Sequence, residues 1–193
     1  MNIKNTFGRA AGIAAAAVGI VGLNLPSVAS ASTAQPAAAA AESRLPRSGD
    51  TCAFQTYKTR NYLTAVGGGG RTTDVLHTDA TRIRAWEKFK LIDSGDRSGT
   101  RIRYGLRTSN GHYLTAVGGG GRITDVMHSD ATQLRAWEKF TLVPAGWGIY
   151  AIQTIDGHYL TAVSGGGRIT DTIHSDATIV RSWEKFRVKC GRK

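Results

Sequence analysis

The sequence predicts an all-β fold in which three units of about 45–50 residues close around a pseudo-threefold axis. Three observations predict it: a 28-residue window occurs three times without a gap, short apolar runs alternate with turn residues, and the two cysteines flank the repeated region. The windows are Tyr62–Phe89, Tyr113–Phe140 and Tyr159–Phe186; the first two differ at five positions and the last two at six. None of them has a helical period.

Each unit is expected to contain four strands, because its apolar residues form short runs bounded by Gly, Asn-Gly or Asp-Gly. In order, the strands are an apolar-polar-Thr run, Tyr-Leu-Thr-Ala-Val, a strand around Thr-Asp-Val, and Trp-Glu-Lys-Phe with its apolar continuation. The first strand is marked by Phe54, Leu106 and Ile152. The apolar continuation of the fourth strand is marked by Leu91, Leu142 and Val188. Such units cannot each bury a face alone, so about twelve strands must close on themselves. A β-trefoil satisfies this; a three-bladed propeller or a solenoid is the alternative.

The residues before the repeats predict export. Lys4 and Arg9 precede an apolar run over 10–25, and the small residues Ala29-Ser30-Ala31 follow it. This pattern is typical of a signal peptide, predicted at 1–31, and the run is shorter than the roughly twenty residues of a membrane span. We expect a flexible Ala-rich leader or pro-segment at 32–50 and one domain at 51–193, with repeats at about 51–96, 97–145 and 146–193. The predicted localisation is secreted and extracellular.

Cys52 and Cys190 are the only cysteines. Export would place them in an oxidising compartment, so we expect a disulfide that makes the first and last strands neighbours. The alternative is a pair of free, buried thiols.

The repeated motifs resemble a known family. Gly-His-Tyr-Leu-Thr-Ala, a glycine-rich turn and Trp-Glu-Lys-Phe are similar to the fascin-like branch of the β-trefoils over essentially all of Cys52–Cys190. The ricin-type branch is less similar, because its Gln-x-Trp signature is absent. The resemblance implies that the Trp-Glu-x-Phe element packs the barrel and its cap, which would put Trp86, Trp137 and Trp183 in the core; sugar-stacking platforms are the alternative. Fascins bundle actin, and bacterial relatives of the fold look mostly like carbohydrate-binding modules.

Four polar residues recur at the same offsets in every unit. They are Arg71, Asp74, His77 and Asp79; Arg122, Asp125, His128 and Asp130; and Arg168, Asp171, His174 and Asp176. In a strand, the His and the second Asp project to the same side, where they could grip adjacent hydroxyls of a pyranose. Galactose-binding trefoil lectins look similar in pairing a Gly-Gly turn with His-x-Asp, so we expect one site per repeat for galactose-like or deoxyhexose sugars. The alternative is that the second Asp caps the Asp-Ala-Thr turn and that each Arg pairs with the nearby Asp.

The glycine runs Gly67–Gly70, Gly118–Gly121 and Gly165–Gly167 lack the Gly-Lys-Ser/Thr ending of a nucleotide loop. They predict a turn with positive φ. A turn without side chains would also let a ligand approach the backbone.

Charge and copy number limit the function classes. The chain carries +11, and +9 without Lys4 and Arg9, yet the second and third windows are neutral and the first is +1. We therefore expect weak attraction to anionic surfaces rather than a specific nucleic-acid groove. One His with two carboxylates per unit is too few for a closed zinc site, so no metal or cofactor is predicted.

Asp74 and Asp79 could serve as the paired carboxylates of a glycosidase, but three equal copies indicate valency rather than catalysis. The sequence therefore predicts a multivalent lectin or hemagglutinin that is not an enzyme. The alternative is a binding scaffold for an anionic cell-surface polymer or protein, or for an actin-type partner.

Overall fold

A computed structural model describes residues 45–191, which form twelve β-strands, four in each repeat. The first repeat contributes β1 Thr51–Thr56, β2 Tyr62–Ala65, β3 Leu76–Ala80 and β4 Phe89–Ser98. The second contributes β5 Arg101–Arg107, β6 Tyr113–Ala116, β7 Met127–Ala131 and β8 Lys139–Gly146. The third contributes β9 Ile149–Gln153, β10 Tyr159–Ala162, β11 Ile173–Ala177 and β12 Lys185–Gly191. A single 3₁₀ turn follows the second strand of every repeat: Val66–Gly68, Val117–Gly119 and Val163–Gly165.

The strand pairing is that of a β-trefoil. The first and fourth strands of the three repeats form a closed antiparallel ring in the order β1-β4-β5-β8-β9-β12, and β12 pairs with β1 along its whole length. The second and third strands of each repeat pair as β2-β3, β6-β7 and β10-β11, and each of these pairs has a register shift after its tyrosine. The predicted all-β, three-repeat architecture is confirmed.

The core is built from the same positions in every repeat. Phe89, Phe140 and Phe186 are completely buried, and so are Leu63, Leu114 and Leu160 from the second strands. Phe54 of β1 meets Phe89 edge to face with ring centroids 5.8 Å apart. Buried and more exposed residues alternate in β3 and β12, where the apolar period of two identifies the core residues, whereas β2 is buried at all four positions.

The predicted disulfide is present between Cys52 and Cys190. The two residues are directly opposite each other in the register of β1 and β12. The bond therefore fastens the two strands that close the ring.

Two predicted strands begin later than the sequence indicates. Thr-Asp-Val is a bend whose Asp has positive φ, and β3, β7 and β11 begin after it. Trp-Glu likewise lies in the loop before the fourth strand, which starts at or next to its Phe. Both motifs lie in loops, and an apolar period in the sequence does not reveal where a loop ends and a strand begins.

The predicted leader overlaps the domain. The Pro46 carbonyl accepts a hydrogen bond from the Tyr104 hydroxyl (3.2 Å), and Gly49 and Asp50 exchange backbone hydrogen bonds with Leu91 (2.8 Å each). The contacts with the barrel therefore begin at Pro46 rather than at Thr51.

The predicted signal peptide and most of the leader lie outside the described residues. Within 45–191, no helix is long and apolar enough to cross a membrane.

Candidate functional site

Each repeat holds its histidine with the first of its two aspartates. The imidazole Nε2 of His77 lies 2.7 Å from Asp74 Oδ1, and the equivalent distances are 2.8 Å for His128–Asp125 and 2.7 Å for His174–Asp171. An ionised carboxylate only accepts, so Nε2 carries the hydrogen and donates it. This leaves Nδ1, which has no partner among the described residues, as the free polar atom of the ring.

The repeated arginine completes this group. Its guanidinium lies 3.4 Å from the same carboxylate in Arg71–Asp74, and 3.6 and 3.7 Å away in Arg122–Asp125 and Arg168–Asp171. The expectation that the arginine pairs with a nearby Asp is confirmed. These pairs are solvent-exposed and contribute little to stability; the carboxylate that each arginine approaches is the one that contacts the imidazole.

The second aspartate lies apart from this group. His77 and Asp79 project to the same side of β3, since the buried Leu76 and Thr78 alternate with them. The Asp79 side chain is exposed and makes no hydrogen bond or ion pair with a described residue, and the same holds for Asp130 and Asp176. The interpretation that this aspartate caps the following turn is therefore wrong, because its carboxylate makes no hydrogen bond to that turn.

A cleft opens beside this aspartate in the first two repeats. In the second repeat it has a volume of about 420 Å³, and its lining includes His128, Asp130, Gln133, Arg135 and Trp137. The equivalent cleft of the first repeat measures about 450 Å³ and is lined by Asp79, Ala80, Thr81, Arg82, Arg84 and Glu87. In the second repeat the histidine, the second aspartate and the loop before the fourth strand thus form one concave surface, whereas the first-repeat cleft is lined by the aspartate and the loop.

The tryptophans are at the surface, which contradicts the expectation of a core position. Trp86, Trp137 and Trp183 are 48%, 50% and 44% exposed. The reason is that each lies in the loop before its strand, so the inward-outward alternation that buries the Phe three residues later does not apply to it. In the second repeat the ring forms part of the cleft wall.

A buried carboxylate holds this loop in shape. Glu138 accepts hydrogen bonds from the Thr115 hydroxyl (2.7 Å) and from the Arg135 backbone N–H (2.8 Å). The Ala116 N–H donates to the Trp137 carbonyl at 2.9 Å. The other repeats make the same contacts through Glu87 and Glu184. The sequence interpretation missed Arg84, Arg135 and Arg181 and these glutamates, although their identity in all three windows was the available signal.

The first aspartates also border a second cavity. Asp74, Asp125 and Asp171 line a cavity of about 540 Å³ that is shared by the three repeats, together with the exposed Ile123 and Ile169. The first aspartate thus faces this shared cavity and the second lines the cleft, and in the second repeat His128 contacts Asp125 and also lines the cleft with Asp130.

The glycine runs form the predicted turn but contact the neighbouring repeat. A Cβ on Gly69 would lie 2.4 Å from Thr108 Oγ1, and one on Gly120 would lie 2.4 Å from Thr154 Oγ1. A Cβ on Gly166 would lie 2.7 Å from both Thr56 and Thr59 of the first repeat. The expectation that a ligand approaches this backbone is wrong at these positions, because a threonine of the next repeat occupies the space.

Two aspartates and two tyrosines outside the three 28-residue windows have a shifted pKa. The Gly95 N–H and the Arg97 guanidinium lower the pKa of Asp93, and the Arg97 N–H and Arg103 lower that of Asp96. Burial raises the pKa of the Tyr104 and Tyr150 phenols.

Within residues 45–191, no three His, Cys, Asp or Glu side chains are grouped so that they could hold a metal ion.

Solved structures share the fold. The Rhizoctonia solani agglutinin is 13% identical with a TM-score of 0.60, and the match covers 77% of this chain and 99% of that one. The designed threefold-symmetric protein ThreeFoil is 12% identical with a TM-score of 0.58 over 72% and 97%. A GlcNAcα1-4Gal-releasing endo-β-galactosidase from Clostridium perfringens is 7% identical with a TM-score of 0.52, over 74% of this chain and only 33% of the enzyme. At these identities the similarity shows the β-trefoil fold alone. No family model and no curated sequence matches the chain.

Proposed function

We propose that the protein is a secreted, multivalent carbohydrate-binding protein of the lectin type, with one sugar site in each repeat. The observation that supports this most is the threefold recurrence of an exposed, unpaired aspartate beside an oriented histidine and a half-exposed tryptophan. Packing does not require these identities, because all three side chains face solvent.

The cleft offers complementary groups to a pyranose. The carboxylate of Asp130 accepts hydrogen bonds from two adjacent hydroxyls, while His128, in the tautomer that donates from Nε2 to Asp125, accepts from a third through Nδ1, and the Arg135 guanidinium donates. The exposed face of the Trp137 ring packs on the apolar face of the sugar. Because Glu138 already fixes the loop, little ordering accompanies binding.

The fold similarity to an agglutinin supports this proposal, and the similarity to an endo-β-galactosidase is confined to a third of that enzyme. A binding role also agrees with the threefold copy number, since catalytic pairs of carboxylates require two different environments. The proposed ligands are galactose-like or deoxyhexose sugars on cell-surface glycans, and bridging such glycans makes the protein a hemagglutinin.

The proposal is tested by calorimetric titration of the protein with galactose and a panel of 6-deoxyhexoses, paired with agglutination of red cells. We expect about three sugars per chain, and strong agglutination from individually weak sites through effective concentration. Asp130→Ala should lower the stoichiometry to about two. Asp79→Ala, Asp130→Ala and Asp176→Ala together should abolish both signals while thermal unfolding stays unchanged.

The matched control is Asp93→Ala, which removes a carboxylate from the β4-β5 hairpin, away from the clefts. It should leave the stoichiometry and agglutination intact. A parent stoichiometry near one, or full binding by the triple variant, would contradict the three-site proposal.

A further inference from the structure

The outward side of β12 carries a basic stripe that the other repeats lack. Lys185, Arg187 and Lys189 alternate with the inward-facing Phe186 and Val188. Successive charges are therefore about 7 Å apart along the strand. The residues equivalent to Arg187 and Lys189 are Lys90 and Ile92 in the first repeat and Thr141 and Val143 in the second. The position of Lys185 is a lysine in every repeat, so the full run of three cations, completed by Lys189, is specific to the third repeat.

No carboxylate neutralises the stripe. Within residues 45–191, none of its three cations forms an ion pair. Lys185 Nζ and the Arg187 guanidinium instead lie 5.9 and 5.6 Å from the ring centroid of Tyr57, and Lys189 Nζ donates to the Tyr62 hydroxyl at 2.8 Å. The buried Nε of Arg187 has no hydrogen-bond partner. Aromatic rings thus position the cations while their charge stays available to an anion.

An exposed tryptophan stands next to the stripe. Trp147 lies in the β8-β9 turn and is 79% exposed, the highest value among the large hydrophobic side chains that the structure describes. The turn is held to β12 because the Val188 N–H donates to the Gly148 carbonyl at 3.0 Å. A small cavity of about 80 Å³ lies between Trp147, Gly148 and residues 187–189. We call Trp147, Lys185, Arg187 and Lys189 the β12 surface.

We propose that the β12 surface binds a polysaccharide that contains uronic acids, independently of the sugar sites proposed for the repeats. The Trp147 ring packs on the apolar face of one sugar, whose carboxylate enters the small cavity and pairs with Arg187 and Lys189. Lys185 meets the carboxylate of a neighbouring sugar along the stripe.

The small cavity of about 80 Å³ has room for a small anionic group such as a carboxylate. Proteins that bind single-stranded nucleic acid stack successive bases on several aromatic side chains, whereas this surface has one exposed indole. Anchoring in a lipid surface typically uses an apolar helix face, which the β12 surface lacks.

The test uses a hexamer of polygalacturonate at 0.15 M salt, with its fully methyl-esterified form as the uncharged counterpart. Calorimetry of the parent protein should give one hexamer per chain and at least tenfold weaker binding of the ester. Trp147→Ala and Arg187→Gln should each weaken binding about tenfold. Arg101→Gln removes the same charge from an exposed position on β5 and should change the affinity less than twofold.

Further measurements separate this site from the repeat clefts and from other partners. The triple variant Asp79→Ala, Asp130→Ala and Asp176→Ala should bind the hexamer as the parent does, and thermal unfolding of Trp147→Ala should match that of the parent. Four results would each overturn the proposal: no hexamer binding, equal binding of the ester, an equal loss in Arg101→Gln, or loss of the hexamer in the triple variant. Tighter, Trp147-dependent binding of an oligothymidylate or of phosphatidylserine vesicles would also overturn it and assign the surface to that partner.

Discussion

At the scale of single residues, the two aromatic side chains of Trp-Glu-Lys-Phe have opposite surroundings. Phe140 is completely buried, whereas Trp137, three residues earlier, is half exposed in the wall of a cleft. The sequence predicts the phenylalanine, because it begins an alternating apolar run. It does not predict the tryptophan, because retention in three copies is compatible with a core or a binding role until the start of the strand is known.

The first prediction contrasts these two residues. Trp137→Ala should leave thermal unfolding nearly unchanged and weaken one of the three sugar sites about tenfold, a loss of about 1.4 kcal/mol in binding free energy. Phe140→Ala should lower the free energy of unfolding by about 3–5 kcal/mol, because it opens a cavity at the centre of the barrel. Calorimetric titration and denaturant unfolding of both variants measure the two effects. A strongly destabilised Trp137→Ala would show that the ring supports the fold.

At the scale of elements, the glycine-rich turn shows which of its positions are constrained. Gly67, Gly118 and Ser164 are equivalent and all have positive φ, and a Cβ on Gly67 would meet only its own Arg71 side chain, at 3.9 Å. A serine there carries the strain of positive φ but meets no steric overlap, because the space is open. The sequence predicts the turn from its composition. It does not predict the contact that fixes Gly69, since the opposing Thr108 is a long-range neighbour in the next repeat.

The second prediction follows from this difference. Gly69→Ala places a Cβ against Thr108 at φ +104° and should destabilise the protein by about 2–4 kcal/mol, through overpacking and backbone strain together. Gly67→Ser, which copies the residue of the third repeat, is the matched control and should cost only the backbone strain of positive φ, about 1–2 kcal/mol, without overlap. Urea unfolding compares the two variants, and equal stabilities would contradict the account of this contact.

At the scale of the whole molecule, closure of the ring depends on pairing β1 with β12. Three nearly identical windows predict the threefold architecture, and the positions of Cys52 and Cys190 predict that the first and last strands meet. The sequence does not predict that Pro46 to Asp50 pack on the barrel. That stretch has no apolar period, and its contacts with the barrel include backbone hydrogen bonds, the Tyr104 hydroxyl and the Ser48 hydroxyl, which accepts from the Asp93 N–H.

The third prediction concerns the disulfide. Its loop spans 138 residues, so Cys52→Ser with Cys190→Ser should lower the free energy of unfolding by about 4–5 kcal/mol in the chain-entropy model. Guanidinium unfolding with and without reductant measures this. Reductant should shift the parent to the midpoint of the double variant and leave the variant unmoved. A parent that is insensitive to reductant under unfolding conditions would contradict the expected contribution.

Because each glycine turn rests on the next repeat and the third rests on the first, the cycle of contacts has no structural beginning or end. These contacts between repeats therefore do not determine where the chain begins and ends; only the covalent connections do. A circular permutant of residues 46–191, opened at the Gly95–Gly99 hairpin and rejoined by a short linker between β12 and β1, should reach the same native state. By the same reasoning, one repeat made as a separate peptide has a surface on each side that fits another copy of itself, so three such peptides should assemble into the complete fold as a homotrimer.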